Sequence, residues 1–571
     1  MKREEGAPGA SPISNSDPAQ FCPNWDFLLT WDDESNYVSN DNIKAFTVPN
    51  LLSWFTAVKI NVYEPLGWTL KALTVFLSPD SQLNAATVRQ ASLILHSANA
   101  FLLALTIPQL MKAFSATSNT LHHSLSASIA ATFWAVHPAN VEVIGWPSAQ
   151  PYSLACFFIL LATLAHCNSR SSSWTVAFFY SCACMSKSAA VTFPGAIMVF
   201  DIARKDFKPA KYTPTIAVLT LVLLKTFSAN IHGSDVNADL IPMNNFGHKI
   251  LKSAYTVLMY ASMFILPSNL RPHYAVDEGW FDNVHLGTSA DLVMAVGYVL
   301  GGACIVGGIM VKILAEGQTK TLNPTPPPLI ISAASIACYV ILFLPTCGII
   351  QHGMVQKGGD RYAYIPYLAL IPLVAAGVNS TLHFLSSSKS KVLQILFSIA
   401  ALSVVSSLSI YSSKQVCIWC NDESMYRFSL SIDPTDWRMV DTYAEYILNT
   451  EGKSSRGEYY LKKSLEVLPH RGVKSALTRA KTHVMLGDAD EACTIYTDWW
   501  NGHPEHHKLA LLMNNVAICQ LRVNGQREFV QNMLFEAVGN ANVEMHKDAI
   551  ENNYKLLKSW KEGNYEGALL W

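Results

Sequence analysis

Charge is what this chain lacks most. Only 15% of its 571 residues are Asp, Glu, Lys or Arg, against about 25% in soluble proteins. That is too little to cover a water-facing surface. The formal net charge is −1, which removes the electrostatic basis for nucleic-acid binding. Cysteine is also sparse: twelve in so long a chain do not make a disulfide scaffold. Cys156, Cys182, Cys184, Cys304 and Cys338 lie in apolar stretches and read as small buried hydrophobes. Cys417 and Cys420 form the one local pair, at the end of the last apolar stretch. No thioredoxin-like pattern flanks them, and the histidines that would complete a zinc site (His503, His506, His507) are distant in sequence. No apolar run occurs between Met1 and Gln20, where Gly, Ser and Pro recur. Residues 1–20 are therefore expected to be disordered, neither signal peptide nor membrane span.

What the chain has instead is apolar sequence in blocks. From about Ser92 to Ser412 eleven stretches stand out, at roughly 92–111, 124–145, 151–167, 174–186, 188–203, 214–231, 250–267, 290–314, 329–346, 362–385 and 392–412. Several are shorter than the roughly 20 residues that cross a bilayer core, which is tolerated beside protein or a water-filled cavity. Basic residues orient them: Arg204, Lys205, Lys208 and Lys211 form one loop, Lys312 and Lys320 a second, Lys389 and Lys391 a third. All three are expected to be cytoplasmic. The segments holding Asp32-Asp33, Glu142, Lys187 and Asp360-Arg361 then share the opposite face with the tail. Parity requires that either 214–231 or 250–267 does not cross, which leaves ten crossings in an all-α membrane domain over residues 21–415.

Residues 416–571 have the periodicity of paired amphipathic helices. Arg438–Pro469 and Val473–Pro504 start 35 residues apart, close to the roughly 34-residue tetratricopeptide period. Ala480, Ala492, Tyr496 and Pro504 fill the small–small–aromatic–proline positions of the second unit, and Gly457, Leu461, Ser464 and Pro469 those of the first. A weaker unit covers about 508–540, and Gly563–Ala568 reads as part of another. The expected tail is an α-solenoid.

Ionisable groups in or beside apolar segments are costly, and by default mark function. Four sets qualify. Trp31-Asp32-Asp33-Glu34 is either a turn cap or a source of one general base, the like charge alongside raising its pKa. His137-Pro138-Ala139-Asn140-Val141-Glu142 ends a stretch, where Glu142 either reaches the interface or serves a site. Lys187 sits at the bend between two half-length segments. Asp360-Arg361 opens a stretch, and a guanidinium fork suits a phosphate ligand. His96 reads as a satisfied core histidine; Asp201 and Lys225 look ordinary, one starting a basic loop and the other reaching for the interface. Carboxylates with Lys and Arg at a membrane surface suit a lipid-phosphate-linked donor. They equally suit a proton-coupled transporter, although no internal duplication of spans is visible.

The strings WDDESNYVSNDNI, HSANAFLLAL, HPANVEVIGW, SKSAAVTFPGAIMVFD, LPSNLRPHY and LPTCGIIQHGMVQKGGDRYAYIP, followed by the repeats, occur in one order. In that order the chain resembles the transmembrane and tetratricopeptide-repeat containing O-mannosyltransferases and their bacterial relatives, of the GT-C class, over about residues 25–540. The resemblance implies a GT-C bundle of about eleven spans and a site in the endoplasmic reticulum lumen. It implies dolichyl-phosphate mannose as donor substrate, Ser/Thr hydroxyls of secretory proteins as acceptors, and neither cofactor nor metal ion. Asp32 or Asp33 would be the base, with inversion at the sugar carbon. Arg361 and Lys187 would hold the lipid phosphate, while Glu142, with His137 and Asp360 beside it, would order the site or touch the sugar. The chain departs from the family twice. Polar sequence stands where a first span precedes the aspartates, so either a segment is missing or the 92–111 span inserts with its N-terminus outward. Gln150 stands where relatives carry Arg, removing a charge expected on the lumenal face. A catalytically inactive scaffold that presents the repeats to a protein partner is the competing reading.

Overall fold

A computed structural model describes residues 25–56, 63–112, 120–232, 246–275, 328–348, 356–388, 390–469, 472–524, 527–540 and 544–558. Helices are the regular structure throughout the described residues. Five of the apolar stretches become single long helices: Ala85–Lys112, Gln150–Cys167, Thr213–His232, Phe246–Ile265 and Lys391–Val416. The 362–385 stretch becomes two helices, Asp360–Ala369 and Ile371–Ser388, bent by 50°. Among the described residues three helices are long and apolar enough to cross a membrane, or four if the bent pair is one span. That is fewer than the ten crossings expected.

Several of the stretches are broken for local reasons. The 124–145 stretch stops as a helix at Ala135 and turns at His137-Pro138, because proline disfavours helix in the residue before it. The 174–186 and 188–203 stretches give Ser173–Ser186 and Phe193–Ala203, 14 and 11 residues long, separated at Lys187. At 1.5 Å per residue such helices reach about 16–21 Å, short of a hydrocarbon core of about 30 Å. The 329–346 stretch gives Pro328–Phe343, and 290–314 lies outside the described residues. Asp201 is not an ordinary loop residue. It is fully buried, accepting from the Tyr212 hydroxyl at 2.5 Å and the His166 ring at 3.0 Å.

Lys391–Val416 shows what surrounds the body. Val392, Ile395, Leu396, Ile399, Leu402, Val404 and Ile410 are all exposed along it. An apolar surface of that extent is expected to face lipid or a partner.

After Trp419 the chain folds into helical hairpins: Trp437–Glu451 with Ser455–Val467, Val473–Leu486 with Ala489–Gly502, and Ala510–Asn524 with Arg527–Asn540, followed by Glu544–Lys558. Each packs on the next in chain order. Asp436, Ser454 and Asp488 cap helix starts with their side chains, and Gly487 closes one in the left-handed conformation (φ +90°). The repeat residues Gly457, Leu461, Ser464, Ala480, Ala492 and Tyr496 are all buried between helices. Cys493 and Cys519 form a disulfide between two successive hairpins. Cys420 is also disulfide-bonded, whereas Cys417 keeps its thiol, so these two are not joined to each other. The 563–568 fragment lies outside the described residues.

The core does not divide at residue 415. Met425, Tyr426, Met439, Tyr443 and Ile447 of the first tail helices share one apolar cluster with Trp134, Trp146 and Tyr364 of the body. Gly145 makes this junction possible, since a Cβ there would come within 2.9 Å of the Trp419 side chain.

Candidate functional site

The aspartate loop is tied down residue by residue. Asp33 precedes one π-helical turn, Glu34–Val38, closed by the Ser39 N–H on the Glu34 carbonyl at 2.9 Å; such turns recur at functional sites. The two aspartates have opposite surroundings. Asp33 is fully buried, Oδ2 accepting from the Leu28 N–H (3.0 Å) and Oδ1 from the Ser148 N–H (3.0 Å) and hydroxyl. Burial nevertheless pushes its carboxyl up to about 6. Asp32 is exposed. Its carbonyl serves the turn, accepting from Asn36 N–H and Nδ2 at 3.0 and 2.8 Å. Asp33 thus anchors the loop and Asp32 presents a carboxylate.

A second carrier of charge stands behind the loop. Lys71, in the helix Pro65–Phe76, is buried with its ammonium 4.1 Å from the Trp68 ring centre and 5.5 Å from that of Tyr37. It donates to Asn36 Oδ1. Burial lowers its pKa to about 7, opposed by the nearby Glu64 carboxylate. Glu64 in turn pairs with Lys187 at 2.5 Å, and Lys187 lies 5.2 Å from the ring centre of Tyr152.

Glu142 and Arg361 form a closed pair. The Arg361 backbone N–H donates to Glu142 Oε2 at 2.7 Å and its guanidinium to Oε1 at 2.5 Å. The guanidinium carbon also sits 5.0 Å from the Trp146 ring centre and 4.6 Å from that of Tyr362. Asp360 accepts from the Tyr274 hydroxyl at 2.6 Å, and the Gly359 carbonyl accepts from the Tyr260 hydroxyl at 2.7 Å. Gly358 has to be glycine because a Cβ would run into that same Tyr260 hydroxyl.

The structure therefore joins the loops by direct contact. Asp33 bonds Ser148, two residues beyond the Trp146 on which Arg361 rests. Asn36 meets Lys71, which lies in the field of both Glu64 and Lys187. His137 is the exception. Its Nε2 donates to the Phe264 carbonyl at 3.2 Å, its Nδ1 accepts from the Ala139 N–H, and Phe133, Phe264 and Tyr367 surround the ring. With both nitrogens engaged, it braces the turn that delivers Glu142. His96 is similarly satisfied, by the Tyr364 hydroxyl and the Ala135 carbonyl.

Three residues went unread in the sequence: Glu64, Lys71 and Arg89. The signal for Lys71 was present, an ionisable group inside the apolar run Trp68-Thr-Leu-Lys-Ala-Leu. Arg89 carried none. It donates to the carbonyls of Asp26, Gly145 and Trp419, each at 2.7 Å, three distant segments that only folding assembles. The tail histidines His503 and His507 stack on Trp499 and Trp500 at 3.8 and 3.9 Å, and His506 accepts from the Trp499 indole. Among the described residues no three His, Cys, Asp or Glu side chains are grouped to hold a metal ion.

Gln150 is wholly buried rather than on a surface, bonded to Tyr37 and Thr74 at 3.4 Å. No protein-family model, curated protein or solved structure matches this chain.

Proposed function

We propose that the chain is a polytopic membrane glycosyltransferase of the GT-C type with a tetratricopeptide-like tail. It transfers a sugar, mannose by resemblance, from dolichyl or polyprenyl phosphate to Ser/Thr hydroxyls of secretory-pathway proteins. The observation that carries this reading is the pair of aspartates, one buried and bonded, the other exposed, on a loop that bonds Ser148, two residues from the Trp146 over which Arg361 lies. In the reaction an acceptor hydroxyl attacks the sugar C1 from the face opposite the phosphate. The C1–O bond to phosphate breaks, the lipid phosphate leaves with that electron pair, and Asp32 takes the hydroxyl proton. Phosphate leaves well without an acid, so one base suffices, and single displacement inverts the sugar carbon. That economy separates the reaction from two-carboxylate glycoside hydrolysis. Arg361 and Lys187 are the cations for the lipid phosphate. Each is already paired, with Glu142 and Glu64, which holds both side chains in place. The Cys493–Cys519 disulfide supports an oxidising compartment for the tail, as the lumen is.

The scaffold reading draws on one observation: the Arg361 guanidinium is already neutralised by Glu142. Labelled polyprenyl-phosphate sugar and candidate acceptor proteins separate the two. Wild type is expected to transfer and Asp32→Asn to fall to background while remaining folded. Equal background labelling by both proteins would overturn the transferase reading.

A further inference from the structure

The aspartate loop is not held by the body's helices alone. Backbone N–H groups of Leu29 and Thr30 donate to the carboxylate of Asp422 at 3.0 and 3.3 Å, and the Thr30 hydroxyl donates to it at 2.5 Å. That hydroxyl also meets the Tyr426 hydroxyl at 2.5 Å. The Asp26 N–H donates to the Cys420 carbonyl at 2.9 Å, and the Arg438 guanidinium lies over Trp31 at 5.9 Å. All four partners belong to the start of the tail, from Cys420 through the helices Asp422–Ile432 and Trp437–Glu451. The turn between these two helices holds residues 271–273, through Arg271–Asp433 at 3.1 Å and His273–Asp436 at 2.9 Å.

The Asp422 carboxylate has no duty within its own helix. Asn421 caps that helix by accepting from the Ser424 N–H at 2.9 Å. A carboxylate largely removed from water is costly unless its lone pairs are satisfied, and three donors from the aspartate loop satisfy this one. Thr30 is two residues from Asp32, and Trp31 between them lies under Arg438. The position of Asp32 is thereby set from the tail.

We propose that Asp422 is a positioning residue for Asp32, so that the site is complete only when the first tail helix is docked. The assignment rests on the transferase reading for its catalytic consequence, but not for its structural one. Docking of the tail and placement of the base then become one mechanical unit.

The test uses the full chain in detergent, carrying Asp422→Ala, Asp422→Glu, Thr30→Val, Asp422→Ala with Thr30→Val, or the exposed control Glu458→Gln. Backbone amide exchange of the 28–33 segment and transfer from labelled polyprenyl-phosphate sugar are both read. Asp422→Ala is expected to speed exchange there by roughly tenfold or more and to lower kcat by about tenfold with donor KM little changed. Asp422→Glu should recover part of both losses. Thr30→Val should weaken the same clasp from the other side, the double variant losing less than the sum. Unchanged exchange in Asp422→Ala overturns the proposal, as does accelerated exchange with unchanged kcat. If wild type transfers nothing, the transferase reading alone fails, and exchange still decides whether Asp422 holds the loop. Global unfolding of Asp422→Ala would show as exchange throughout the body, and Thr30→Val then decides.

Discussion

Arg361 and Glu142, 219 positions apart in the chain, meet twice, backbone N–H to Oε2 at 2.7 Å and guanidinium to Oε1 at 2.5 Å. The contact fixes the start of the 360–369 segment against the turn that follows His137-Pro138. It also means that a ligand phosphate approaching Arg361 competes with a resident carboxylate.

Removing one partner strands the other charge in the interior, a loss of about 3–5 kcal/mol. Glu142→Gln and Arg361→Gln are each expected to destabilise by that order, and the double variant by less than their sum. Thermal unfolding of the four proteins in detergent measures the coupling. Strictly additive losses would mean that the two side chains do not act as a pair.

Asp33 predicts a pH dependence. Burial raises its carboxyl from 3.8 to about 6, so the folded chain holds the proton more tightly than the unfolded one. The stability that protonated Asp33 contributes is full below pH 3.8 and is lost as pH rises through about 6. The loss amounts to roughly 3 kcal/mol. Asp33→Asn is expected to flatten the unfolding profile across that window. A wild-type slope that survives the substitution would assign the titration to another group.

The Cys493–Cys519 bridge closes a separation of 26 residues. Loop closure of that size stabilises by roughly 3–4 kcal/mol. Replacing both cysteines by Ala, or reducing the native protein, is expected to raise protease cleavage in the last two hairpins and leave the body intact. Indifference of those hairpins to reductant would count against the bridge in the native chain.

Gln150→Arg places a guanidinium where Tyr37, Thr74 and the Val88 carbonyl surround a neutral amide. A buried charge without a partner costs on the order of 3 kcal/mol or more. The variant is expected to unfold at lower temperature, measured beside wild type. An unchanged midpoint would mean that this pocket admits the charge found in the resembling family.

The apolar blocks, the paired helices of the tail and the small residues between them were legible because periodicity and composition are local properties. Gly457, Ala480 and Tyr496 fall where their spacing placed them. Where helices end inside those blocks was not legible. Hydropathy marks apolar sequence, but His137-Pro138 and Lys187 end helices inside stretches that read as continuous. The disulfide at Cys493 was missed for a similar reason, since its partner lies on the next hairpin.

By itself the sequence determined that the chain is helical, apolar in blocks from about Ser92 to Ser412, and marked by Asp32-Asp33, Glu142, Lys187 and Asp360-Arg361. Only the tertiary structure decided what each residue does there. Asp33 is buried and Asp32 exposed because Ser148, 115 positions from Asp33, supplies a donor pair to one and not the other. Arg361 closes on Glu142, and Asp422 reaches back 392 positions to Thr30. Solvation and pairing depend on neighbours in space, and neighbours so far apart along a chain leave no trace in its local pattern.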